Sequence, residues 1–189
     1  MFVGSYPAAD FVLAPSRPEV AFVGRSNVGK SSLLNALAQR RRLAHTSSTP
    51  GKTRACNVFD VDGRYYLVDL PGYGYAAASK RTRDALGRLL AAYFAARLPA
   101  GTVWLLDVRR DPSPDDRAMA ALLAERRVPV LVALTKADKI AWGQRRARRD
   151  AIRRSLGVDV PENRYVFTSA RTREGVVELR EAIERLVES

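Results

Sequence analysis

The chain contains few of the residues on which many catalytic and metal-binding sites depend. Its 189 residues include one cysteine, Cys56, and one histidine, His45. A single cysteine excludes an internal disulfide and a cysteine-based zinc cluster, and it is typical of a reducing cytosol. A single histidine argues against a histidine-based triad and against a multi-histidine metal site. These absences predict a cytoplasmic protein whose chemistry rests on other side chains.

Long hydrophobic runs are also absent. No apolar run reaches the roughly 18 residues that a membrane span requires. The first ten residues, "MFVGSYPAAD", have no basic start and no long apolar stretch, so they do not predict a signal peptide. A chain of 189 residues is long enough for one domain with a hydrophobic core. We therefore expect a single-domain monomer without a membrane span.

Lysine is scarce in a chain that is otherwise rich in positive charge. Five lysines occur among 32 basic residues, and the formal net charge is +12. This charge predicts a polyanionic partner such as nucleic acid or a ribonucleoprotein. The alternative is an arginine-rich surface without a partner. Two of the five lysines, Lys30 and Lys136, lie in the two strongest motifs of the chain.

Strand-like apolar runs alternate with helical patterns along the chain. The runs "CNVFDV" and "RYYLVDL" flank Asp62-Gly63, which predicts a β-hairpin. Four further runs have the bulky apolar composition of interior parallel strands: 19–24, 102–108, 128–135 and 164–170. This pattern predicts an α/β fold with a mostly parallel sheet and an antiparallel edge. We expect an N-terminal arm over 1–16 and one folded domain over 17–189.

The segment "GRSNVGKS" matches the pattern G-x-x-x-x-G-K-[ST] where a predicted strand meets a predicted helix. Glycines allow the backbone N–H groups of such a loop to turn toward phosphate oxygens. We expect Lys30 to contact the β and γ phosphates, and the Ser31 hydroxyl to bind Mg²⁺. The predicted phosphate-binding residues are Gly24, Arg25, Ser26, Asn27, Val28, Gly29, Lys30, Ser31 and Ser32.

A second motif, "DLPG", follows the strand-like run "YYLV". It consists of Asp69, Leu70, Pro71 and Gly72. Behind a phosphate-binding loop, a carboxylate at this position suits a water-mediated contact to Mg²⁺, and the Gly72 N–H suits the γ phosphate. The pattern is weak alone, and it gains weight from the loop that precedes it.

A third motif, "TKAD", ends another apolar strand and consists of Thr135, Lys136, Ala137 and Asp138. A carboxylate can accept two N–H bonds from guanine, whereas adenine lacks that donor pair. The alternative is that Asp138 only caps a helix. The segment after the last predicted strand is expected to meet the base oxygen through its backbone. That segment comprises Phe167, Thr168, Ser169 and Ala170.

The polar region 41–54 is long for a connection in so small a chain, and such loops are usually functional or mobile. A threonine in it can supply a second hydroxyl to Mg²⁺. Thr53 is the preferred candidate because it directly precedes a strand, and Thr46 and Thr49 are the alternatives. The predicted nucleotide-binding residues of this region are Gly51, Lys52, Thr53, Arg54 and Ala55.

Together, "GRSNVGKSSLLN", "TSSTPGKT", "LVDLPGYGYA" and "LTKADK" resemble the EngB (YihA/YsxC) family, one of the TrmE-Era-EngA-EngB-Septin-like P-loop GTPases. The resemblance runs from about Arg17 to the end of the chain. It implies a Ras-like P-loop GTPase domain with a mostly parallel six-stranded sheet and one antiparallel edge strand. It also implies GTP and GDP binding with Mg²⁺, slow hydrolysis, and a role in assembly of the large ribosomal subunit and its rRNA. A link to cell division and septation belongs to the same expectation.

The resemblance also assigns roles to residues. It places Mg²⁺ on Ser31 and Thr53, with Asp69 contacting the ion through water. The candidate catalytic residues are Lys30, Asn27, Thr53 and Gly72. The chain carries Arg54 and Ala55 where the family more often has glutamine and an aliphatic residue, so the role of Arg54 stays open.

Tyr73 stands where Ras-like proteins often carry a glutamine that orients the attacking water. It therefore argues against water positioning of the Ras type. Asn27 suggests a substitute, because its amide oxygen, with carbonyls from 47–52, can hold K⁺ against the phosphates. The alternative is that Asn27 only braces the loop.

Partner contacts are predicted from two regions. Tyr75 lies on the loop expected to sense the γ phosphate, and the arginines of "AWGQRRARRDAIRRS" share a helix face that suits rRNA phosphates. The alternative for Tyr75 is core packing, and the alternative for that helix is a solvated face without a partner. The candidates are Tyr73, Tyr75, Arg145, Arg148 and Arg149. The leading hypothesis is a nucleotide-gated GTPase of ribosome assembly, and the alternative is a guanine-nucleotide-dependent binding switch with negligible hydrolysis.

Overall fold

The computed structural model describes residues 1–38, 55–75 and 79–188. Within them, seven strands form one sheet in the order β1-β3-β4-β2-β5-β6-β7. The strands are β1 (Phe2–Tyr6), β2 (Glu19–Gly24), β3 (Cys56–Val61), β4 (Tyr65–Asp69), β5 (Gly101–Asp107), β6 (Val130–Thr135) and β7 (Tyr165–Phe167). The predicted α/β class with a mostly parallel sheet is confirmed.

Five strands run parallel and occupy the centre and one side of the sheet. β2 pairs in parallel with β4 and β5, β5 with β6, and β6 with β7. These strands are almost wholly buried because helices cover both faces, and apolar side chains form one core cluster on each face. Parallel strands end at the same edge of a sheet, so the loops after β2, β4, β5, β6 and β7 meet there.

The hairpin forms at the predicted place. β3 and β4 pair antiparallel on either side of Asp62 and Gly63, whose φ angles are 50° and 70°. Both values lie in the left-handed region that a two-residue hairpin turn requires. The Arg64 N–H closes the turn on the carbonyl of Val61 at 2.9 Å.

The sheet has one more strand than the six predicted. β1 pairs antiparallel with β3, so two antiparallel pairs, rather than one edge strand, flank the parallel strands. The Phe2 ring packs on Phe59 with 5.6 Å between centroids, and Tyr6 stacks on Phe11 at 4.4 Å. The short run "FVGSY", interrupted by glycine and followed by proline, has no pattern that separates it from an arm. The boundary at residue 16 stays a prediction.

Five α-helices are described. They are α1 (Lys30–Leu37), α2 (Lys80–Ala96), α3 (Pro114–Glu125), α4 (Arg145–Leu156) and α5 (Val176–Glu188). Helix α4 begins at Arg145, and two short 3₁₀ helices, Ala137–Lys139 and Trp142–Gln144, precede it. No helix in the described part of the chain is long and apolar enough to cross a membrane.

Candidate functional site

The loop between β2 and α1 has the backbone of a phosphate cradle. Asn27 has φ 65° and Gly29 has φ 103°, and both lie in the left-handed region. Gly29 also precedes α1 at its N-terminus, where no side chain of the described residues makes a cap hydrogen bond. The first N–H groups of α1 are therefore available to an anion, and the helix dipole favours negative charge there.

Lys30 and Asp69 form a buried ion pair at the centre of the site. Lys30 Nζ donates to Asp69 Oδ1, and the two residues are 9% and 3% exposed. The pairing follows from the sheet, because Asp69 ends β4 beside Phe22 of β2. The predicted phosphate-binding lysine and the predicted Mg²⁺ carboxylate thus lie in direct contact.

The oxygen groups present suit Mg²⁺. The Asp69 carboxylate and the hydroxyl of half-buried Ser31 are hard donors of the kind this ion prefers. The described residues contain no group of three or more carboxylate, histidine or cysteine side chains that could hold a metal ion. A Mg²⁺ at this place would be held by one or two protein oxygens together with substrate phosphates.

The "DLPG" loop is fastened to the phosphate-binding loop through the backbone. The Ser26 N–H donates to the Tyr73 carbonyl at 2.9 Å, and the Tyr73 N–H donates to the Gly24 carbonyl at 3.3 Å. A Cβ on Gly72 would lie 3.1 Å from the Ser26 nitrogen. Glycine at position 72 thus permits the close approach of the two loops.

Tyr73 points into the core. It is 8% exposed, its hydroxyl donates to Asp116 Oδ1 at 2.8 Å, and Trp104 Nε1 donates to the same hydroxyl at 2.8 Å. Burial, followed by the neighbouring Asp116 carboxylate, raises the pKa of Tyr73 well above its usual value. The prediction of Tyr73 as a partner contact is wrong, because the buried core and these two bonds occupy its side chain. Tyr75 is half-buried, and its contact role stays a prediction.

The "TKAD" segment lies beside the phosphate-binding loop. Thr135 Oγ1 donates to the Val28 carbonyl at 2.8 Å, and the Ala137 N–H donates to the Thr168 carbonyl at 3.1 Å. A cavity of about 350 Å³ opens between these segments. Its lining includes Gly29, Ser32, Thr135, Lys136, Asp138, Thr168, Ser169 and Ala170. With Val28, which also lines it, nine residues predicted to bind nucleotide therefore share one cavity.

Asp138 is held as a carboxylate at this cavity. Ser169 Oγ donates to Asp138 Oδ1 at 2.8 Å, and this bond is the main cause of a pKa below the usual value of 3.8. The charged form is the one that accepts N–H bonds from a base. Ser169 thus orients the carboxylate as well as lining the cavity.

Lys136 joins the cavity to the phosphate-binding loop. It has φ 62°, and its Nζ donates to the Asn27 carbonyl and to Asp107 Oδ2, both at 2.9 Å. Arg109 holds the same carboxylate through Nε at 2.9 Å and a terminal nitrogen at 2.8 Å. Burial opposes ionisation of Asp107, but the hydrogen bonds from Arg109 and Lys136 outweigh it and lower its pKa far below 3.8.

Asp107 was not among the predicted site residues. Its position offers a signal, since it is an acidic residue at the carboxyl end of the apolar strand "TVWLLDV". Polar groups at the carboxyl ends of parallel strands lie where such sheets bind ligands.

Sequence comparison agrees with this geometry. The family model described as "50S ribosome-binding GTPase" matches residues 19–136, more than half of the chain. A probable GTP-binding protein EngB from Exiguobacterium sp. is 44% identical over 187 residues, which cover 98% of this chain and 94% of the relative. Its counterpart from Gemmatimonas aurantiaca is 48% identical over 172 residues, covering 90% and 83%.

The chain is a P-loop GTPase of the EngB family. Comparison of folds gives the same architecture. The crystal structure of a probable GTP-binding protein engB matches with a TM-score of 0.76 at 22% identity, covering 90% of this chain and 98% of that one. Era in complex with MgGDPNP and a 16S ribosomal RNA fragment matches with a TM-score of 0.67 at 22% identity, covering 90% and 56%. At these identities the two structures support the Ras-like fold alone.

Several predicted residues of this EngB-family chain lie outside the described part. These are Gly51, Lys52, Thr53 and Arg54, together with the alternatives Thr46 and Thr49. Ala55 is half-buried and precedes β3. The side chain of Asn27 is exposed, and its role with K⁺ stays a prediction.

The arginines of α4 that were predicted to contact RNA form hydrogen bonds and ion pairs within the chain. Arg145 pairs with Glu174, and Arg148 donates to the Val108 carbonyl at 2.5 Å and to Asp111 at 2.6 Å. Arg149 pairs with Asp150 at 3.1 Å and with Glu162 at 2.5 Å. Helical spacing does not reveal these acids and carbonyls, which neighbouring elements bring to the three arginines. Their contact with rRNA stays a prediction.

Proposed function

We propose that this EngB-family protein binds GTP and GDP with Mg²⁺, hydrolyses GTP slowly, and acts as a nucleotide-gated factor in assembly of the large ribosomal subunit. One observation carries the nucleotide part. The ammonium of Lys136 contacts the backbone of Asn27, so the cavity that suits the base adjoins the loop that suits the phosphates. The match to a family described as 50S ribosome-binding GTPases supports the ribosomal part.

In this proposal, the base enters the cavity beside Asp138, whose carboxylate accepts the N1 and N2 hydrogens of guanine. Adenine would leave that carboxylate desolvated and unpaired, which costs far more than a lost contact. Ser169 holds the carboxylate in place. Binding of fluorescent GDP with GTP, GDP and ATP as competitors tests this assignment, and equal competition by ATP would contradict it.

The phosphates meet the backbone of the β2–α1 loop and Lys30. Ser31 and Thr53 would hold Mg²⁺, and Asp69 would contact it through water. When bound, Mg²⁺ would supply positive charge beside the phosphate oxygens. Lys30 leaves its pairing with Asp69 in part as it reaches the β and γ oxygens, and the Gly72 N–H meets the γ phosphate.

The buried side chain of Tyr73 supports the proposal of slow hydrolysis. Its phenol is bound to Asp116 and Trp104, so it is not available to orient a water molecule at the γ phosphate. Another group must supply that function, and Asn27 with K⁺ is our candidate. Turnover in KCl and NaCl, with Asn27→Ala beside the unchanged protein, tests it. Equal rates in the two salts would remove K⁺ from the proposal.

A second candidate function is a binding switch with negligible hydrolysis, and the same buried phenol favours it. Single-turnover hydrolysis with and without purified large subunits separates the two. Acceleration by the subunits supports an enzyme activated on its target. A rate at the uncatalysed level in both conditions supports the switch.

The ribosomal role is tested by cosedimentation of the protein with large subunits in GTP, GDP and nucleotide-free buffers. Stronger binding with GTP is expected, and binding that ignores the nucleotide would contradict gating. We further propose that the protein is a cytoplasmic monomer. A role in cell division and septation belongs to the same proposal, and depletion of the protein with microscopy of septa tests it.

A further inference from the structure

Trp142 is a large aromatic side chain that the fold leaves in solvent. It is 79% exposed and lies in the 3₁₀ helix Trp142–Gln144, between the "TKAD" segment and α4. The other tryptophan, Trp104, is 1% exposed and packs in the core. Packing within the described residues therefore does not account for the Trp142 ring.

The side chain of Arg145 lies over the Trp142 ring. The guanidinium carbon of Arg145 lies 4.7 Å from the ring centroid. Arg145 is itself held by two contacts with Glu174 and by a 3.3 Å bond to the Ala137 carbonyl. The exposed ring is thus braced from the protein side, and its remaining surface stays open to a second planar group.

The neighbourhood of Trp142 carries positive charge. Lys139, which precedes Trp142 by three residues, lines the cavity at the base site together with Arg171, and both are exposed. Lys139 also pairs with Asp138 at 3.5 Å. Arg146 follows Arg145 on α4 and is exposed. Among the described residues, the side chains of Arg146 and Arg171 have no hydrogen-bond or ion-pair partner. The negative charge of Glu174 is matched by Arg145. An exposed aromatic ring with exposed cations near it, two of them without an acidic partner among the described residues, suits an unpaired nucleic-acid base and its phosphates.

We propose that Trp142, with Lys139, Arg146 and Arg171, forms a stacking site for an unpaired base of single-stranded RNA beside the guanine cavity. The choice of RNA rests on the proposed ribosomal function, while the stacking and charge come from the residues themselves. The ring would stack on the base, and the cations would contact the adjoining phosphates. This site is separate from the predicted contacts of Arg148 and Arg149, whose side chains are paired within the chain.

The two tryptophans provide a direct measurement. A 12-nucleotide oligoadenylate RNA is titrated into the GDP-loaded protein while tryptophan fluorescence is recorded. Adenine is chosen because the guanine cavity, already filled by GDP, should not take it. Stacking is expected to quench the Trp142 emission, whereas the Trp104 emission should persist. Binding is expected to weaken with salt, because phosphate contacts release counterions.

Trp142→Ala should bind the RNA roughly tenfold more weakly, in line with the loss of one base stack, and should abolish the quench. Trp142→Phe should restore much of the affinity. Leu98→Ala is the matched control, because Leu98 is 90% exposed but precedes β5 at the opposite end of the sheet. Arg146→Gln should weaken binding and reduce its salt dependence. Unchanged GDP affinity in each variant verifies folding.

Equal RNA affinity of Trp142→Ala and the unchanged protein would overturn the stacking site. A quench of tryptophan fluorescence by RNA that persists in Trp142→Ala would also overturn the stacking site. Cosedimentation with large subunits distinguishes failure of the stacking site from failure of the ribosomal role. If the unchanged protein binds no subunits but shows a Trp142-dependent quench, the ribosomal role fails and the stacking site stands. If Trp142→Ala loses subunit binding while RNA causes no quench, the RNA assignment is wrong and a ribosomal protein is the partner.

Discussion

The hydroxyl of Tyr73 donates a 2.8 Å hydrogen bond to the carboxylate of Asp116. Asp116 also caps α3, since its other oxygen accepts the Ser113 N–H at 2.8 Å and the Ser113 hydroxyl at 2.7 Å. The residue after "DLPG" is thereby tied to the start of α3. The backbone of the same residue is bound to the phosphate-binding loop. Nucleotide-dependent movement of this loop is therefore expected to begin after Tyr73.

Tyr73→Phe should destabilise the protein. The change leaves the Trp104 N–H and one Asp116 oxygen buried without a partner, at a cost of about 2 kcal/mol in the free energy of unfolding. Urea unfolding at neutral pH measures it. Tyr75→Phe is the matched control, because Tyr75 is less buried. If Tyr73→Phe lowers the free energy of unfolding no more than Tyr75→Phe does, the buried hydrogen bonds of Tyr73 contribute little to stability.

Asp107→Asn should weaken guanine-nucleotide binding. The amide keeps the shape of the side chain but removes the charge that holds Lys136 against the Asn27 carbonyl. We expect about a tenfold rise in the Kd for GDP, equivalent to ~1.4 kcal/mol. Asp111→Asn is the control, since Asp111 is exposed and pairs with Arg148. Unchanged GDP affinity in Asp107→Asn would show that Lys136 is positioned without Asp107.

Asp107 should also contribute to stability in a pH-dependent way. Its pKa is lower in the folded protein than the usual 3.8, so the stabilisation is present above about pH 4. It is lost as the pH falls from 3.8 toward the folded value. The difference in unfolding free energy between the unchanged protein and Asp107→Asn should therefore shrink below pH 4. A difference that is constant from pH 7 to pH 3 would contradict this linkage.

Asp138→Asn should reduce the affinity for GDP at least a hundredfold, because guanine N–H donors would face an amide rather than a carboxylate. Xanthosine diphosphate carries a carbonyl where guanine has its amino group, and the amide can donate to it. We expect the variant to prefer the xanthine nucleotide. Competition against a fluorescent nucleotide measures both affinities. Loss of binding for both nucleotides would indicate that the cavity has collapsed instead.

Much of the site was predictable because its motifs are continuous in sequence. The spacing of Gly24, Gly29 and Lys30 predicts a loop that turns its N–H groups inward, and the structure has the required positive φ angles at Asn27 and Gly29. The hairpin at Asp62-Gly63 was predictable for the same reason, since two adjacent residues decide the turn. These are local properties of the chain.

Other features depend on which elements touch. Asp107 reaches Lys136 because the pairing of β5 with β6 places Asp107 beside Thr135. No local sequence pattern predicts that register. Strand β1 forms because β3 offers a free edge, and its five residues carry little signal of their own. The same limit applies to Arg148, whose partners lie on the loop after β5.

The sequence by itself therefore determined the α/β class, the phosphate and base motifs and the family, because each rests on residues close together in the chain. Only the tertiary structure decided that Tyr73 is buried against Asp116, that the α4 arginines are mostly paired, and that Trp142 stays in solvent. The physical reason is that burial and pairing are set by neighbouring elements. Trp104 and Trp142 are the same type of residue, yet the first is buried and the second is exposed.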